Sequence, residues 1–451
     1  METRITSLEL SGSSVLVLGL GISGRSAAAF CAARGARVVA ADERKVDSIE
    51  GIEALDRFGS AIELRCGSAL PDAGDFDLVV PSPGVAHERY ASTARRVWGD
   101  IELTYRALPV PIAAVTVTNG KSTTTCLLEA MLRAAGLRAR AAGNLGDAAL
   151  ELVGAPLDVA VLEVSSFQLE TTDSFRPRVA ILLNITPDHL DRHGDMQGYT
   201  EAKARILANQ REDDAAVLNL DDPAVAALAE RSRARLFGFS RNTPQTRGVW
   251  LDGDTAVLRN EDREIRIDLS TITLHGRHNR DNAAMALAAV LALDADVELA
   301  AAALAGFNGL PHRSEIVAEF GGVRFVNDSK ATNPGAAARA LEGWGERVIW
   351  IAGGRDKGLD FEPLAEVAER CVRHALWIGE SSRVLETAIG TRVPNEVAGT
   401  LEAAVRRAAD LARPGDTVLL APACASFDQF LNYEARGDAF RAAAAAEENR
   451  S

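Results

Sequence analysis

The chain has 451 residues, 47% of them hydrophobic and 25% charged, with a formal net charge of −14. That length exceeds one ordinary core and implies about two to four domains. The acidic balance excludes a broad phosphate-binding surface for nucleic acid or anionic membrane. No run is long enough to span a bilayer. The N-terminus shows no basic stretch leading into an apolar one and a small-residue cleavage site. Five scattered cysteines, Cys31, Cys66, Cys126, Cys371 and Cys424, form no CxxC pair. They argue against a zinc or redox motif and fit a reducing compartment, so a cytoplasmic location is expected.

In chain order, "SVLVLGLGISGRSAAAFCAARG" predicts a strand, a glycine-rich turn and a small-residue helix. "ARVVAADE" and "FDLVVPSPGV" are further strands, the second stopped by Pro-Gly punctuation. Gly19, Gly21 and Gly24 match GxGxxG after a strand, and Asp42 ends the next strand at the spacing of a dinucleotide site. The same turn accepts any pyrophosphate, a UDP-linked one included. "DIELTYRALPVP" reads as the exit from this first unit.

A second unit opens with "IAAVTVTNGKSTTT". Val115 to Thr118 should end a strand, and Asn119, Gly120, Lys121, Ser122 and Thr123 should form a turn and the first turn of a helix. Gly120 lets the backbone approach an oxyanion at which helix-start amides point. Lys121 supplies positive charge to phosphates, and the hydroxyl of Ser122 or Thr123 can ligate Mg²⁺. The strict GxxxxGK[ST] pattern fails, because Val115 stands five positions before Gly120. A strand–turn–helix with a solvated lysine is the plainer alternative.

"DVAVLEVSS" and "RVAILLNIT" are buried-strand runs. Glu163 ends the first, where a metal-completing carboxylate is expected. After the second comes His189 with Asp188 and Asp191, a metal or phosphate cluster or simply a polar loop. Lys203 lies on the following helix. A cationic lysine cannot serve a magnesium site unless burial removes its proton and it becomes an anion. "GVWLDGDTAVLRNEDREIRIDL" is a polar β patch, and "HGRHNRDNAAMALAAVLAL" a helix with His278, Asn279 and Asn282 at its mouth, as ligands or as caps. "GFNGLPHRSE" reads as a hinge carrying Arg313.

In the third unit, "GVRFVNDS", "RVIWIAGGR", "HALWIGE" and "TVLLAPAC" are strands between alanine-rich helices. "VNDSKATNP" sets Asp328, Lys330, Thr332 and Asn333 at a strand end, as ligands or as turn and cap residues. The tail "FRAAAAAEENRS" is expected to be a fraying helix. Alternation of strands and helices throughout implies an α/β protein with parallel sheets whose ligands bind at strand carboxyl ends. Two phosphate turns are also compatible with an NAD-dependent dehydrogenase, but that chemistry needs neither the Asn-Gly-Lys-Ser-Thr turn nor the Glu163/His189 cluster. A non-catalytic nucleotide sensor leaves the polar strand ends of all three units without a purpose. An ATP-dependent ligase uses them all.

The chain resembles the Mur ligase family over nearly its whole length. "TNGKSTTT", "LEVSSFQLE", "NITPDHLDRH…YTEAKARI", "GRHNRDNAAMA", "GLPHRSE", "NDSKATNP" and "APACASFDQF" carry the resemblance. Within the family, "SSFQLE", "NDSKATN" and "ACASFDQF…YEARG" are similar to the member that adds D-glutamate. The resemblance implies three domains: a Rossmann-like UDP-substrate domain over 1–103, a P-loop ATPase-like central domain over 104–309, and a Rossmann-like amino-acid domain over 310–451. It implies ATP-dependent joining of D-glutamate to UDP-N-acetylmuramoyl-L-alanine through an acyl phosphate, in peptidoglycan precursor synthesis. The alternative is another Mur-type or a folylpolyglutamate-type amide ligase.

By the same resemblance, Lys121 with Asn119, Gly120, Ser122 and Thr123 holds the ATP phosphates. Ser122 and Glu163 bind one Mg²⁺; His189 and a carbamylated Lys203 bind a second. Asn279, Asn282, Arg313 and Asp328 serve the nucleotide. Lys330, Thr332, Lys357, Ser426 and Phe427, with Phe430 as a further candidate, grip D-glutamate. Ser23, Asp42, Arg44, Ser82 and Asn144 match the UDP-muramoyl side. The expected partners are these small molecules, with no nucleic acid and no membrane, on a monomer. One departure stands out: the family usually reads Thr-Gly-Thr-Asn-Gly-Lys, and Val117 replaces the first glycine here. Either the backbone at 117 is extended and tolerates a β-branched residue, or the grip on ATP suffers.

Overall fold

The structure, a computed structural model, describes residues 8–450 apart from 262, 273, 275 and 357. Among these residues the named strands form three sheets. The first holds β1 (Ser14–Leu18), β2 (Arg37–Asp42), β3 (Ile62–Cys66) and β4 (Leu78–Pro81), all parallel in the order β3-β2-β1-β4. Strand order reverses beside β1, which opens a crevice at the carboxyl ends of β1 and β4. The glycine-rich turn leads from β1 into the helix Ile22–Ala33. Gly24 is required there, since a Cβ would lie 1.9 Å from the Gly19 carbonyl oxygen.

The central sheet contains β5 (Ile112–Val115), β6 (Ala139–Gly143), β7 (Val159–Glu163), β8 (Val179–Leu182), β9 (Ala215–Asn219), β10 (Arg235–Ser240), β11 (Gly248–Asp252), β12 (Thr255–Asn260) and β13 (Arg263–Asp268). Their order is β13-β12-β11-β10-β9-β8-β5-β7-β6. It is parallel from β6 to β11, and the polar β patch adds an antiparallel extension through β12 and β13. Both faces of the parallel part are covered, so the middles of its strands are apolar runs, with polar residues such as Glu163 and Asn219 at their carboxyl ends. On β5, Ala113 and Val115 face one core, and Ile112 and Ala114 the other. The first core is closed by the helices Lys121–Ala134 and Arg277–Ala292, the second of which is alanine-rich and seats its backbone close to the sheet.

The third sheet comprises β14 (Glu315–Phe320), β15 (Val323–Asn327), β16 (Val348–Gly353), β17 (Val372–Ile378), β18 (Asn395–Gly399) and β19 (Thr417–Leu420), in the order β14-β15-β19-β16-β17-β18. Only the β14–β15 pair is antiparallel. The tail departs from expectation. The helix Tyr433–Glu448 packs firmly, with Phe440 and Ala444 fully buried in the core of this sheet. The alanine run 442–446, with Phe440 before it, conceals an apolar stripe that bulk composition does not show.

The helix Asp100–Ala107 spans the expected boundary at 103. Ile101 and Tyr105 enter a central-sheet core, and Leu103 and Ala107 enter the core of the first sheet. Among the described residues no helix is long and apolar enough to cross a membrane.

Candidate active site

A cleft of about 770 Å³ lies where the three sheets meet. Its floor is the turn after β5. The strand ends at Val115, Thr116–Asn119 are irregular, and the helix begins at Lys121. Gly120 has φ +97°, and a Cβ there would lie 2.6 Å from Asn282 Oδ1. Both facts demand glycine, and the second brings the Arg277–Ala292 helix against the turn. Val117 is absent from the positive-φ positions. Its side chain is wholly buried in the central core, so the backbone accepts the branched residue.

The carbonyl of Val117 turns toward the cleft and accepts from two lysines. Lys121 Nζ lies 2.5 Å away and Lys203 Nζ 3.0 Å away. Burial lowers the Lys121 amine, with Glu163 and Asp188 pulling it back up. Burial, reinforced by the nearby Lys121, drives the Lys203 amine well below the ordinary lysine range. The charge objection raised by the sequence thus has a physical answer: this lysine is held toward its neutral, nucleophilic form.

Glu163 ends β7 and is 1% exposed. Its Oε1 accepts from Asn144 Nδ2 at 2.9 Å. Its Oε2 is buried with no hydrogen-bond partner among the described residues. A bare carboxylate oxygen at a cleft wall is costly unless something cationic meets it. Ser122, whose hydroxyl is the second candidate oxygen, lines the same cleft. Among the described residues no group of three or more His, Cys, Asp or Glu side chains could hold a metal by itself. Two hard oxygens, completed by water and phosphate, are nevertheless the donor set Mg²⁺ takes. The residues present therefore fit the ion the resemblance implies.

His189 sits at φ 54°, capping the short helix Leu190–His193. Its Nε2 lies 3.7 Å from Asp188 Oδ2, and its ring packs edge-on against Phe167. It faces the cleft as expected. Asn279 Oδ1 accepts from Asn282 Nδ2 at 3.1 Å, so the two asparagines form one unit beside the turn. From the third unit, Arg313 Nη2 donates to Ser122 Oγ at 2.6 Å. Asn333 Nδ2 donates to Asp188 Oδ2 at 3.0 Å. Burial raises the Asp328 carboxyl to about 6, against the opposing pull of Ser314 and Arg313. Lys330 Nζ lies 3.8 Å from the centroid of the Tyr433 ring, and burial lowers its amine to about 8. Thr332 lines the same wall.

Some expected residues lie elsewhere. Ser426, Phe427 and Phe430 are not among the cleft-lining residues. Phe427 is 62% exposed, and Phe430 packs against the core of the third sheet. From this C-terminal segment it is Tyr433 that reaches the cleft, with Glu434 beside it. Asn432 caps their helix by accepting from Ala435 N, and an Asn-cap signal before "YEARG" would have placed Tyr433 at that mouth. Lys357 lies outside the described residues.

Around the glycine-rich turn, Asp42 accepts from Leu20 N at 2.7 Å and from Arg44 Nη2 at 2.8 Å. The Arg44 guanidinium holds its carboxyl down at about 2. A carboxylate turned onto its own loop and neutralised by arginine is poorly disposed to read a ribose, the role a dinucleotide site assigns it. Ser82 Oγ donates to the Gly19 carbonyl at 2.7 Å, and its neighbour Pro83 forms the first unit's part of the cleft wall. The Ser23 hydroxyl bonds the buried Asp100, while Asn144 stands against Glu163 rather than at the glycine-rich turn.

Fold and cleft together define a class: three-unit α/β proteins in which a phosphate-loop-like turn faces residues from two other sheets. Comparison with known proteins narrows it. Family models match as Mur ligase MurD-like, N-terminal domain over 13–96, Mur ligase middle domain over 115–290 and Mur ligase, glutamate ligase domain over 312–424. The chain belongs to the Mur ligase family. It is 44% identical over 447 residues to the UDP-N-acetylmuramoylalanine--D-glutamate ligase of Geobacter metallireducens, covering 97% of this chain and 98% of that one. It is 45% identical over 456 residues to the protein of the same name from Anaeromyxobacter dehalogenans, covering 96% and 97%. Its fold also matches the solved MurF ligase of Thermotoga maritima in complex with ADP, with TM-score 0.61 at 17% identity, covering 98% of this chain and 97% of that one.

Proposed function

We propose that this protein joins D-glutamate to the carboxylate of UDP-N-acetylmuramoyl-L-alanine at the expense of ATP, a cytoplasmic step in making peptidoglycan precursor. The observation that carries the proposal is the single cleft, into which the Lys121 turn, Glu163, Lys203 and the Lys330–Tyr433 pair all open. The curated relatives' shared name supplies the substrates. Residues 1–103 would hold the UDP-substrate through Ser23, Asp42, Arg44 and Ser82, residues 104–309 ATP, and residues 310–451 the amino acid.

Amides at the start of the Lys121–Ala134 helix, with Lys121, would orient the ATP phosphates and spread the charge of the transferring phosphoryl group. Asn279, Asn282, Arg313 and Asp328 would hold the rest of the nucleotide. The substrate carboxylate attacks the γ-phosphorus, ADP leaves, and an acyl phosphate forms. The D-glutamate amine, oriented by Lys330, Thr332 and Tyr433, attacks that carbonyl, and phosphate departs from the tetrahedral intermediate. Ser122 and Glu163 would hold one Mg²⁺, and His189 with a carbamylated Lys203 a second. Bound there, the ions would supply Lewis-acid neutralisation of phosphate oxygens. Closure of the third unit over the cleft would keep water from the acyl phosphate. Phosphate release from ATP with UDP-N-acetylmuramoyl-L-alanine and a panel of D- and L-amino acids tests the proposal. Release dependent on D-glutamate is expected; release with another acceptor only, or a nicotinamide-dependent absorbance change instead, overturns it.

A further inference from the structure

Beyond the phosphate turn the cleft continues as an arm between two helices. One is Arg277–Ala292, whose Asn282 touches Gly120 and whose His278 lies one turn further out on the same face. The other is Pro334–Trp344. Its cap, Asn333, stands beside the turn, with Nδ2 3.4 Å from Asn119 Oδ1. Arg339 follows six residues on, about 9 Å along the axis at 1.5 Å per residue. Both helices therefore run from the phosphate end to the same outer point. There His278 and Arg339 line the cleft together with Leu274, Ala336 and Ala340.

Arg339 is one of three arginines, with Arg235 and Arg373, that hold a buried nitrogen without a partner among the described residues, and the one of the three that lines the cleft. Its Nη2 is sequestered from solvent and has no hydrogen-bond partner among the described residues. Its neighbour Arg241 is fully engaged in a pair with Asp281. Burial lowers the Arg339 guanidinium to about 10. Burial, with Arg339 and Arg241 adding to it, lowers His278 to about 4, so that ring is neutral. A neutral heteroaromatic ring, three small or aliphatic walls and one unpaired donor make a slot for a flat ring bearing an acceptor. They do not suit a phosphate or a sugar, which would need several donors and acceptors.

We propose that Arg339 determines nucleobase specificity, its Nη2 donating to a ring nitrogen of the purine whose phosphates lie on the Lys121 turn. The inference rests on the proposed adenine nucleotide. It adds a residue that the motifs did not mark and that lies outside the phosphate, metal and amino-acid contacts assigned above. An acceptor missing from the ligand leaves the guanidinium donor unpaired, which is the form of discrimination a buried hydrogen bond enforces best.

Calorimetric binding of ATP and its 1-deaza, 3-deaza and 7-deaza analogues to the full chain tests this, in the wild type and in Arg339→Met. One analogue should bind the wild type about tenfold more weakly than ATP. The variant should bind ATP and that analogue equally, both at the weaker level. Arg339→Leu serves if the methionine variant does not fold. The proposal is overturned if all three analogues bind the wild type within about twofold of ATP. It is equally overturned if the variant keeps the wild-type preference. Absence of any adenine-nucleotide binding to the wild type would remove the ligase proposal itself, an outcome distinct from either.

Discussion

Lys121 and Lys203 share one acceptor: both ammonium groups point at the carbonyl oxygen of Val117, 86 residues before Lys203 in sequence. Two like charges on one oxygen in a buried place oppose each other, and burial together with Lys121 drives the amine of Lys203, the less exposed of the two, well below the ordinary lysine range. If Lys203 carries the proposed carbamate, Lys203→Ala should lose the amine that forms it and with it nearly all turnover. Added acetate should restore part of the rate by placing a carboxylate in the space. Near-normal turnover without any added acid would remove the carbamate from the mechanism.

Glu163 presents one oxygen bonded to Asn144 and one with nothing to meet. Glu163→Gln keeps the shape and removes the charge. Nucleotide affinity in the wild type should rise with Mg²⁺ concentration; in the variant the dependence should flatten, and turnover should fall by about a hundredfold or more. Titration calorimetry of ADP at several Mg²⁺ concentrations measures this, and an unchanged Mg²⁺ dependence would count against Glu163 as the ligand.

Lys330, lowered to about 8 chiefly by burial, sets a limit on the alkaline side. Its folded value lies below the unfolded one, so its charge penalises folding below about 8 and the penalty disappears as pH rises through the unfolded value. Its charge is also what an acidic amino acid would meet. The KM for D-glutamate should climb as pH passes about 8, and Lys330→Met should have a raised KM with no such climb. Initial rates across pH 7 to 9.5 (an approximate range either side of that value) settle it. A profile unaffected by the substitution would assign the climb to another group.

Val117→Gly restores the residue usual in the family and removes a fully buried side chain from the central core. It should destabilise the fold by about 2–4 kcal/mol, through lost burial, the cavity left and the freer unfolded backbone. The carbonyl that receives the lysines stays, so kcat should change little. Denaturant unfolding and steady-state rates on one preparation separate the two effects.

Much of this architecture was legible in the sequence because parallel strands buried on both faces are uninterrupted apolar runs, as at Ile112–Val115 and Val159–Glu163. Their carboxyl ends were legible for the same reason, and with them Glu163 and the Lys121 turn. Half-exposed strands such as Ile62–Cys66 and Asn395–Gly399 left no such run. Tyr433 escaped because an exposed phenylalanine, Phe427, stood six residues earlier in the same loop, and only the Asn432 cap distinguishes them. Arg339 carries no motif. What marks it is a missing partner, a property of three-dimensional packing alone.

The shared helix Asp100–Ala107 has a mechanical consequence. Because it feeds both the first and the central cores, and Leu150 of the central unit also enters the first core, those two units are welded by oil. The cores of the third sheet draw only on residues beyond 316. Polar contacts are among those that tie that sheet across the gap: Arg313–Ser122, Asn333–Asp188 and Asn333–Asn119. By the proposed function, the third unit would then be a hammer swinging onto a fixed anvil of two parts: each turnover should move the proposed amino-acid unit toward a stationary nucleotide and sugar, and not the reverse.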